Sequence, residues 1–235
     1  MTPITVTTTR EAAQLHGVKI CVHGRAGAGK TTLVATLPTP ILISAESGVL
    51  SLGHLDIPQI TIDSYAGLDE VYQWLAYSQE SWQYQSVALD SISEIAEQCL
   101  AAEMVKSKDG RRAYGEMATE MRRIIRLFRD LPGRHVYFSA KQAGFADDIG
   151  VTRYAPSMPG KSLTGDIPYF FDELFSLEVG KDAEGREYRY LRTRLDLQHE
   201  AKDRSGALDE FEPPDLGQVI QKIQARHAAT HPTGG

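Results

Sequence analysis

The chain has 235 residues, 42% hydrophobic and 24% charged, with a formal net charge of -6. That suffices for one α/β domain with a full core and is ordinary for a globular protein. No apolar run approaches the ~20 residues a membrane-spanning helix needs, and two cysteines without a C-x-x-C spacing argue against a disulfide framework or a zinc site.

In chain order, residues 1–17 read as an N-terminal extension whose polar start, MTPITVTTTREAAQ, lacks a basic-then-apolar leader. With the low cysteine content this gives the expectation of a reducing cytoplasm and no membrane partner. Residues 18–23 read as a strand, followed by a Gly-rich turn and a helix over 30–37 that Pro38 and Pro40 terminate. Short strands are expected at 41–44 and 59–62. A helix over 68–77 carries Leu68, Val71, Tyr72 and Leu75 on one face. A strand at 86–90 ends in an acid, and a helix follows over 92–105.

Residues 116–131 form the clearest amphipathic helix, with Met117, Met121, Ile124, Ile125 and Phe128 as its apolar stripe. Between 105 and 135 nine basic residues meet four acids, so the rest of the chain carries the acidity. Such a block suits a phosphate backbone, and equally the solvated face of a helix. A strand at 135–140 precedes a stretch, 142–168, with Gly, Pro and Asp but no periodicity, which reads as a long loop of the kind that is mostly functional or disordered. Strands at 174–179 and 187–197 around a turn at 181–185 form an antiparallel hairpin. A helix over 216–227 and a tail at 228–235 complete a single domain spanning 18–227. Trp74 and Trp82 are expected in the core. The seven histidines show no ligand spacing, so no metal site is expected from them.

The chemistry is concentrated at residues 24–31, GRAGAGKT, which satisfy G-x-x-x-x-G-K-[ST] between a strand and a helix. Gly24, Gly27 and Gly29 allow a turn tight enough to aim successive N–H groups at phosphate oxygens. Arg25, Ala26, Ala28 and Thr32 complete the cradle. Lys30 supplies a point charge for the terminal phosphates, and the Thr31 hydroxyl is placed to ligate Mg²⁺. Asp90, at the end of an apolar strand, is placed to hold the same metal through water. The expected ligands are therefore ATP and Mg²⁺.

Asp90-Ser91 after its strand resembles the second nucleotide motif of the RecA-like recombinase ATPases. The ILISAE segment, 41–46, resembles the strand of that family whose final glutamate, here Glu46, activates the attacking water. HVYFSA with Lys141-Gln142 resembles the strand whose end senses the γ-phosphate, which gives that role to Gln142; Lys141 departs from the commoner asparagine. Motif order, chain length and the A-K-D-R run at 201–204 are most similar to the compact phage-encoded Sak-type annealing proteins. The resemblance spans about residues 15–205.

It implies a mainly parallel twisted sheet flanked by helices, ATP hydrolysis, single-stranded DNA binding with annealing or homologous recombination, and assembly into a ring or filament. A single-strand-binding protein is an expected partner, and host cytoplasm the expected place. It also implies a first DNA-binding loop at 106–114, with Arg111 and Arg112. A second lies within 143–161, with Phe145, Arg153, Tyr154 and Lys161, a mixture of cations and rings suited to single strands. Lys202 and Arg204 would cap a nucleotide, in the same chain or in a neighbour. Two alternatives stay open: an annealing protein in which ATP is only structural, and a P-loop NTPase or small-molecule kinase with no DNA role.

Overall fold

The computed structural model describes residues 6–46, 49–146 and 150–229. Its strands are β1 (Lys19–Gly24), β2 (Pro40–Ser44), β3 (Gln59–Thr61), β4 (Ser86–Asp90), β5 (His135–Ala146), β6 (Thr152–Ser157), β7 (Glu173–Lys181), β8 (Glu187–Arg192), β9 (Lys202–Asp203) and β10 (Phe211–Glu212). The helices are α1 (Thr9–His16), α2 (Leu68–Tyr77), α3 (Ile92–Lys106), α4 (Gly110–Arg129), α5 (Lys161–Phe170) and α6 (Leu216–Ala229). The main sheet runs β10-β8-β7-β1-β5-β4-β2-β3, with β6 on β5 and β9 on β7. Every pairing from β7 through β1, β5, β4 and β2 to β3 is parallel, and β7–β8 is the antiparallel C-terminal hairpin. This is the mainly parallel, helix-flanked sheet expected of the sequence.

The central strands are buried on both faces, so they read as continuous apolar runs whose alternate side chains feed two cores. Cys21, Ile41, Ile43, Val87, Leu89, Val136 and Phe138 point to one core with α2, α3 and α4. Ile20, Val22, Leu42, Ala88, Tyr137 and Phe175 point to the other, with Leu33, Val34 and α6. Helix α4 is held by the stripe read from sequence: Met117, Met121, Ile124, Ile125 and Phe128 are all buried. Each such side chain contributes about 1.5–3 kcal/mol, so a charge at Met121 would cost the helix its place.

Several elements differ from expectation for identifiable reasons. Helix α4 begins at Gly110, because Asp109 caps it by accepting from the Arg111 amide at 2.9 Å. The expected loop at 106–114 therefore shrinks to a joint at 107–109. The segment after the Gly-rich turn is a 3-10 helix, Thr31–Thr36. Its threonines divert hydroxyls to the backbone, Thr32 to the Gly29 carbonyl at 2.6 Å and Thr36 to that of Leu33 at 2.7 Å.

The stretch 142–168 is not a loop. β5 runs on to Ala146, β6 pairs back in the register Phe145↔Arg153, and α5 follows with Pro168 in its last turn. Gly and Pro here punctuate elements rather than abolish them. β8 ends at Arg192, short of the expected 197. Trp82 is 64% exposed rather than in the core, while Trp74 packs partly buried against it beside Tyr84. Residues 147–149 of the expected DNA loop, and 230–235 of the expected tail, lie outside the described residues. Among the described residues no helix is long and apolar enough to cross a membrane.

Candidate nucleotide site

Four neighbouring strands deliver the site to the carboxyl edge of the sheet. β1 ends in Gly24, where a Cβ would stand 3.0 Å from the Leu177 carbonyl on β7, so only glycine lets the loop leave so close to its neighbour. Gly27 and Gly29 have φ of 77° and 105°, the left-handed region in which a side chain is strained. The loop is braced from below, since buried Tyr137 donates its hydroxyl to the Lys30 carbonyl at 2.8 Å.

The Lys30 ammonium donates to the carbonyls of Gly24 and Arg25 at 2.8 and 3.0 Å. Burial pushes its pKa below the ordinary lysine value, while the charges of Asp90 and Glu46 oppose that shift. Thr31 Oγ1 donates to Asp90 Oδ2 at 2.6 Å, and Ser139 on β5 donates to the other oxygen. Asp90 is buried, and its peptide bond to Ser91 is cis. Glu46, just past β2, accepts from Ser91 Oγ at 2.8 Å, and its own carbonyl accepts from Ser44 Oγ at 2.5 Å. Two carboxylates thus stand near a lysine and a threonine hydroxyl, each positioned by a neutral hydroxyl rather than by a cation.

Gly24, Ala26, Gly27, Gly29, Lys30, Thr31, Thr32, Glu46, Asp90, Lys141 and Gln142 line one cavity of about 640 Å³. The expected phosphate, metal and water-activating residues are therefore together. Among the described residues Gln142 Oε1 is buried without a hydrogen-bond partner; the amide leaves capacity for a ligand at that point. With the Thr31–Asp90 pair, this donor set fits a hydrated Mg²⁺ and a terminal phosphate. Lys141 bonds Glu94 and Glu97 on α3 at 3.1 and 2.8 Å.

Sequence reasoning missed three contributors. Ser139 and Tyr137 lie inside an apolar strand and carry no motif. Arg189 on β8 also lines the cavity, its Nε donating to the Ala28 carbonyl at 2.8 Å. Only the alternation of EYRYLR hints that it faces away from its tyrosine neighbours.

Other expected residues are elsewhere. Lys202 and Arg204 follow the register Leu174↔Lys202, at the amino end of β7, whereas the P-loop leaves the carboxyl end of β1. Lys202 Nζ donates to the Pro168 carbonyl at 2.6 Å, and Arg204 pairs with Asp172 at 2.9 Å. They do not reach the nucleotide cavity of their own chain.

Arg111 and Arg112 sit in the first turn of α4, where Arg112 faces Glu116 at 3.8 Å. Lys161 opens α5, next to Gly160, where a Cβ would meet the Tyr114 ring at 3.2 Å, so the starts of α4 and α5 adjoin. Phe145, Arg153 and Tyr154 are on the β5–β6 hairpin, with Phe145 exposed and Tyr154 stacked on His199 at 5.3 Å. Much of the basic block is spent internally: Arg122 on Asp166, Arg123 on Asp69 and Glu120, Arg129 on Asp130.

In solved structures the chain is similar in fold to a KaiC-like protein from Pyrococcus horikoshii OT3, with a TM-score of 0.44 and 13% identity over 75% of this chain and 77% of that one. It is similar to the flagellar accessory protein FlaH of Methanocaldococcus jannaschii, with a TM-score of 0.45 and 11% identity over 86% of both. A type III secretion system ATPase of pathogenic bacteria gives a TM-score of 0.49 and 13% identity over 69% and 51%. No curated protein matches. A family model described as an AAA domain matches residues 16–205, from the strand that enters the P-loop to just past β9. The chain carrying this loop, its two acids and its glutamine belongs to the AAA domain family and is a P-loop ATPase.

Proposed function

We propose that the protein hydrolyses Mg-ATP and uses the ATP state to tighten its grip on single-stranded DNA, in the service of annealing or homologous recombination. The observation that carries this reading is the position of Gln142. Its side chain lines the nucleotide cavity, and its backbone opens the β5–β6 hairpin, where it pairs with Pro156. Further out on that hairpin stand exposed Phe145 and, opposite it, Arg153. A ring for base stacking and a cation for the phosphates are the elements a single strand requires.

In this reading Lys30 neutralises the phosphates, Thr31 and Asp90 hold the metal, and Glu46 orients the attacking water. Bound magnesium supplies charge neutralisation to the phosphate oxygens. Gln142 bonds the terminal phosphate and transmits its presence to the hairpin, a population shift that requires the ATP state to favour DNA. Lys202 and Arg204, lying at the opposite edge, serve a neighbouring subunit in a head-to-tail ring or filament. The resemblance to compact phage-encoded annealing proteins supports the biological setting.

The test is single-stranded DNA affinity with ATP and with ADP across a salt series, for the wild type and Gln142→Ala. The wild type is expected to bind more tightly with ATP, by about 5–150-fold. Its log–log salt slope should be near −0.7 for each phosphate neutralised. Gln142→Ala should bind equally in both states. A wild type that turns over ATP without salt-sensitive DNA binding would instead favour a P-loop NTPase or small-molecule kinase with no DNA role.

A further inference from the structure

The P-loop is flanked by two hairpins, and the second has no role in the account above. β7 runs past the loop's exit, and the register Val179↔Arg189 lifts Arg189 beyond Leu177, on which Gly24 packs. Alternation along β8 puts Tyr188 and Tyr190 on one side of the strand and Arg189 on the other. The Arg189 side chain runs along the loop: Nε donates to the Ala28 carbonyl at 2.8 Å, and a Cβ on Gly29 would lie 3.5 Å from the same nitrogen. The same Cβ would lie 3.0 Å from Thr32 Oγ1, so Arg189 and Thr32 converge on Gly29.

Two further facts decide what this cation serves. Arg186, on the turn of the same hairpin, is tied to Asp182 and Glu184. Among the described residues no carboxylate pairs with Arg189, and the residue lines the cavity that holds Lys30. An arginine has five N–H donors in a rigid fork, so one bond to Ala28 leaves most of it for an anion. Sheet order then fixes the flank. Gln142, Asp90 and Glu46 arrive from the β5, β4 and β2 side of β1, whereas Arg189 arrives from the β7–β8 side.

We propose that Arg189 is a positioning residue that locks the P-loop backbone through Ala28 and engages the diphosphate common to ADP and ATP, opposite the metal and the terminal phosphate. This rests on the nucleotide reading above and deepens it. Such a contact is equal in ground state and transition state, so it sets affinity rather than the chemical step. An arginine fork also matches a phosphate edge in a way a lysine imitates only by charge.

The experiment compares Mg-ADP and Mg-ATP binding by titration calorimetry, with KM and kcat, for the wild type, Arg189→Ala and Arg189→Lys. Arg189→Ala is expected to weaken both nucleotides by about the same factor, tenfold or more, and to raise KM while kcat stays within about twofold. Arg189→Lys, which restores the charge without the fork, should recover only part of that loss, and added salt should narrow the gap between the wild type and the alanine variant. Unchanged affinity in Arg189→Ala, a loss confined to ATP, or a lysine variant as weak as alanine would each overturn the proposal. A wild type that binds neither nucleotide overturns the nucleotide reading itself; a wild type that binds while Arg189→Ala matches it overturns this inference alone.

Discussion

Lys30 and Lys202 both rest on main-chain oxygens, but Lys30 does so at an open cavity at the carboxyl edge of the sheet with Asp90 and Glu46 beside it, whereas Lys202, like Lys19, does so at the amino edge, close to where α4 and α5 end. There Lys19 Nζ donates to the carbonyls of Leu131 and Arg134 at 3.1 and 2.7 Å, and Lys202 to that of Pro168. Leu131 follows the end of α4, and Pro168 lies in the last turn of α5. A parallel sheet makes its edges unequal in this way. Chains leave its carboxyl edge through loops that begin helices, with amides open to anions, and return through helix C-termini whose carbonyls attract cations. The same contrast can be tested at each edge separately.

The largest effect is expected at the carboxyl edge. Glu46→Gln keeps the hydrogen bond to Ser91 within reach but removes the negative charge to which the proposed mechanism gives the attacking water. Steady-state turnover should fall by about 10²–10⁴-fold, while nucleotide affinity measured by titration stays near the wild type. Turnover equal to the wild type would remove Glu46 from the chemistry.

At the amino edge the prediction concerns stability instead. Glu173 is buried, and desolvation, reinforced by nearby Asp203, raises its pKa from 4.5 to about 8. Between those values the folded chain keeps a proton that the unfolded chain releases. The contribution of Glu173 to stability therefore falls as pH rises through that window. Lys19, lowered to about 8 by burial, acts above it: the unfolded lysine stays charged to higher pH, so deprotonation in the fold recovers stability there. His23 and His135, lowered by burial to about 4, oppose this trend below their ordinary 6.5, so urea unfolding is compared at pH 6.5 and pH 7.5, where the wild type should be weaker at the higher pH by on the order of 1 kcal/mol. Glu173→Gln, neutral throughout, should flatten that difference; an equally steep variant would show that another group is responsible.

The sequence displayed the carboxyl edge far better than the amino edge, and the reason is physical. A P-loop needs glycines at fixed offsets and a lysine and hydroxyl at its end, so local chemistry is written contiguously; Asp90 and Glu46 each close an apolar run. The sheet core was legible because strands buried on both faces leave unbroken apolar stretches. Arg189 left no such mark, because its role depends on the β7–β8 register and on a strand that is otherwise exposed. The β5–β6 hairpin was hidden for a related reason. Its Gly144 gives way to the ring of Tyr154, at 3.3 Å from where a Cβ would stand, which erases the alternation a strand usually shows. Lys202 and Arg204 looked like nucleotide ligands only because sequence order says nothing about which end of a strand a later segment meets.

The smallest effect on the single chain carries the sharpest test of assembly. Arg204 is an exposed partner of Asp172, so Arg204→Ala should change the unfolding free energy by under about 1 kcal/mol. Its distance from its own P-loop means that any service to a nucleotide goes to a neighbour. Lys30→Ala chains, expected to have lost turnover, still carry Arg204; Arg204→Ala chains still carry an intact P-loop. If Arg204 acts in trans, Arg204→Ala also loses turnover, and the two variants mixed in equal amounts should complement, because an Arg204→Ala cavity can then be completed by the arginine of a Lys30→Ala neighbour. Turnover of the mixture above the sum of its parts is the expected result. Turnover that merely averages them would confine Arg204 to its ion pair, and the amino edge would then be structural throughout.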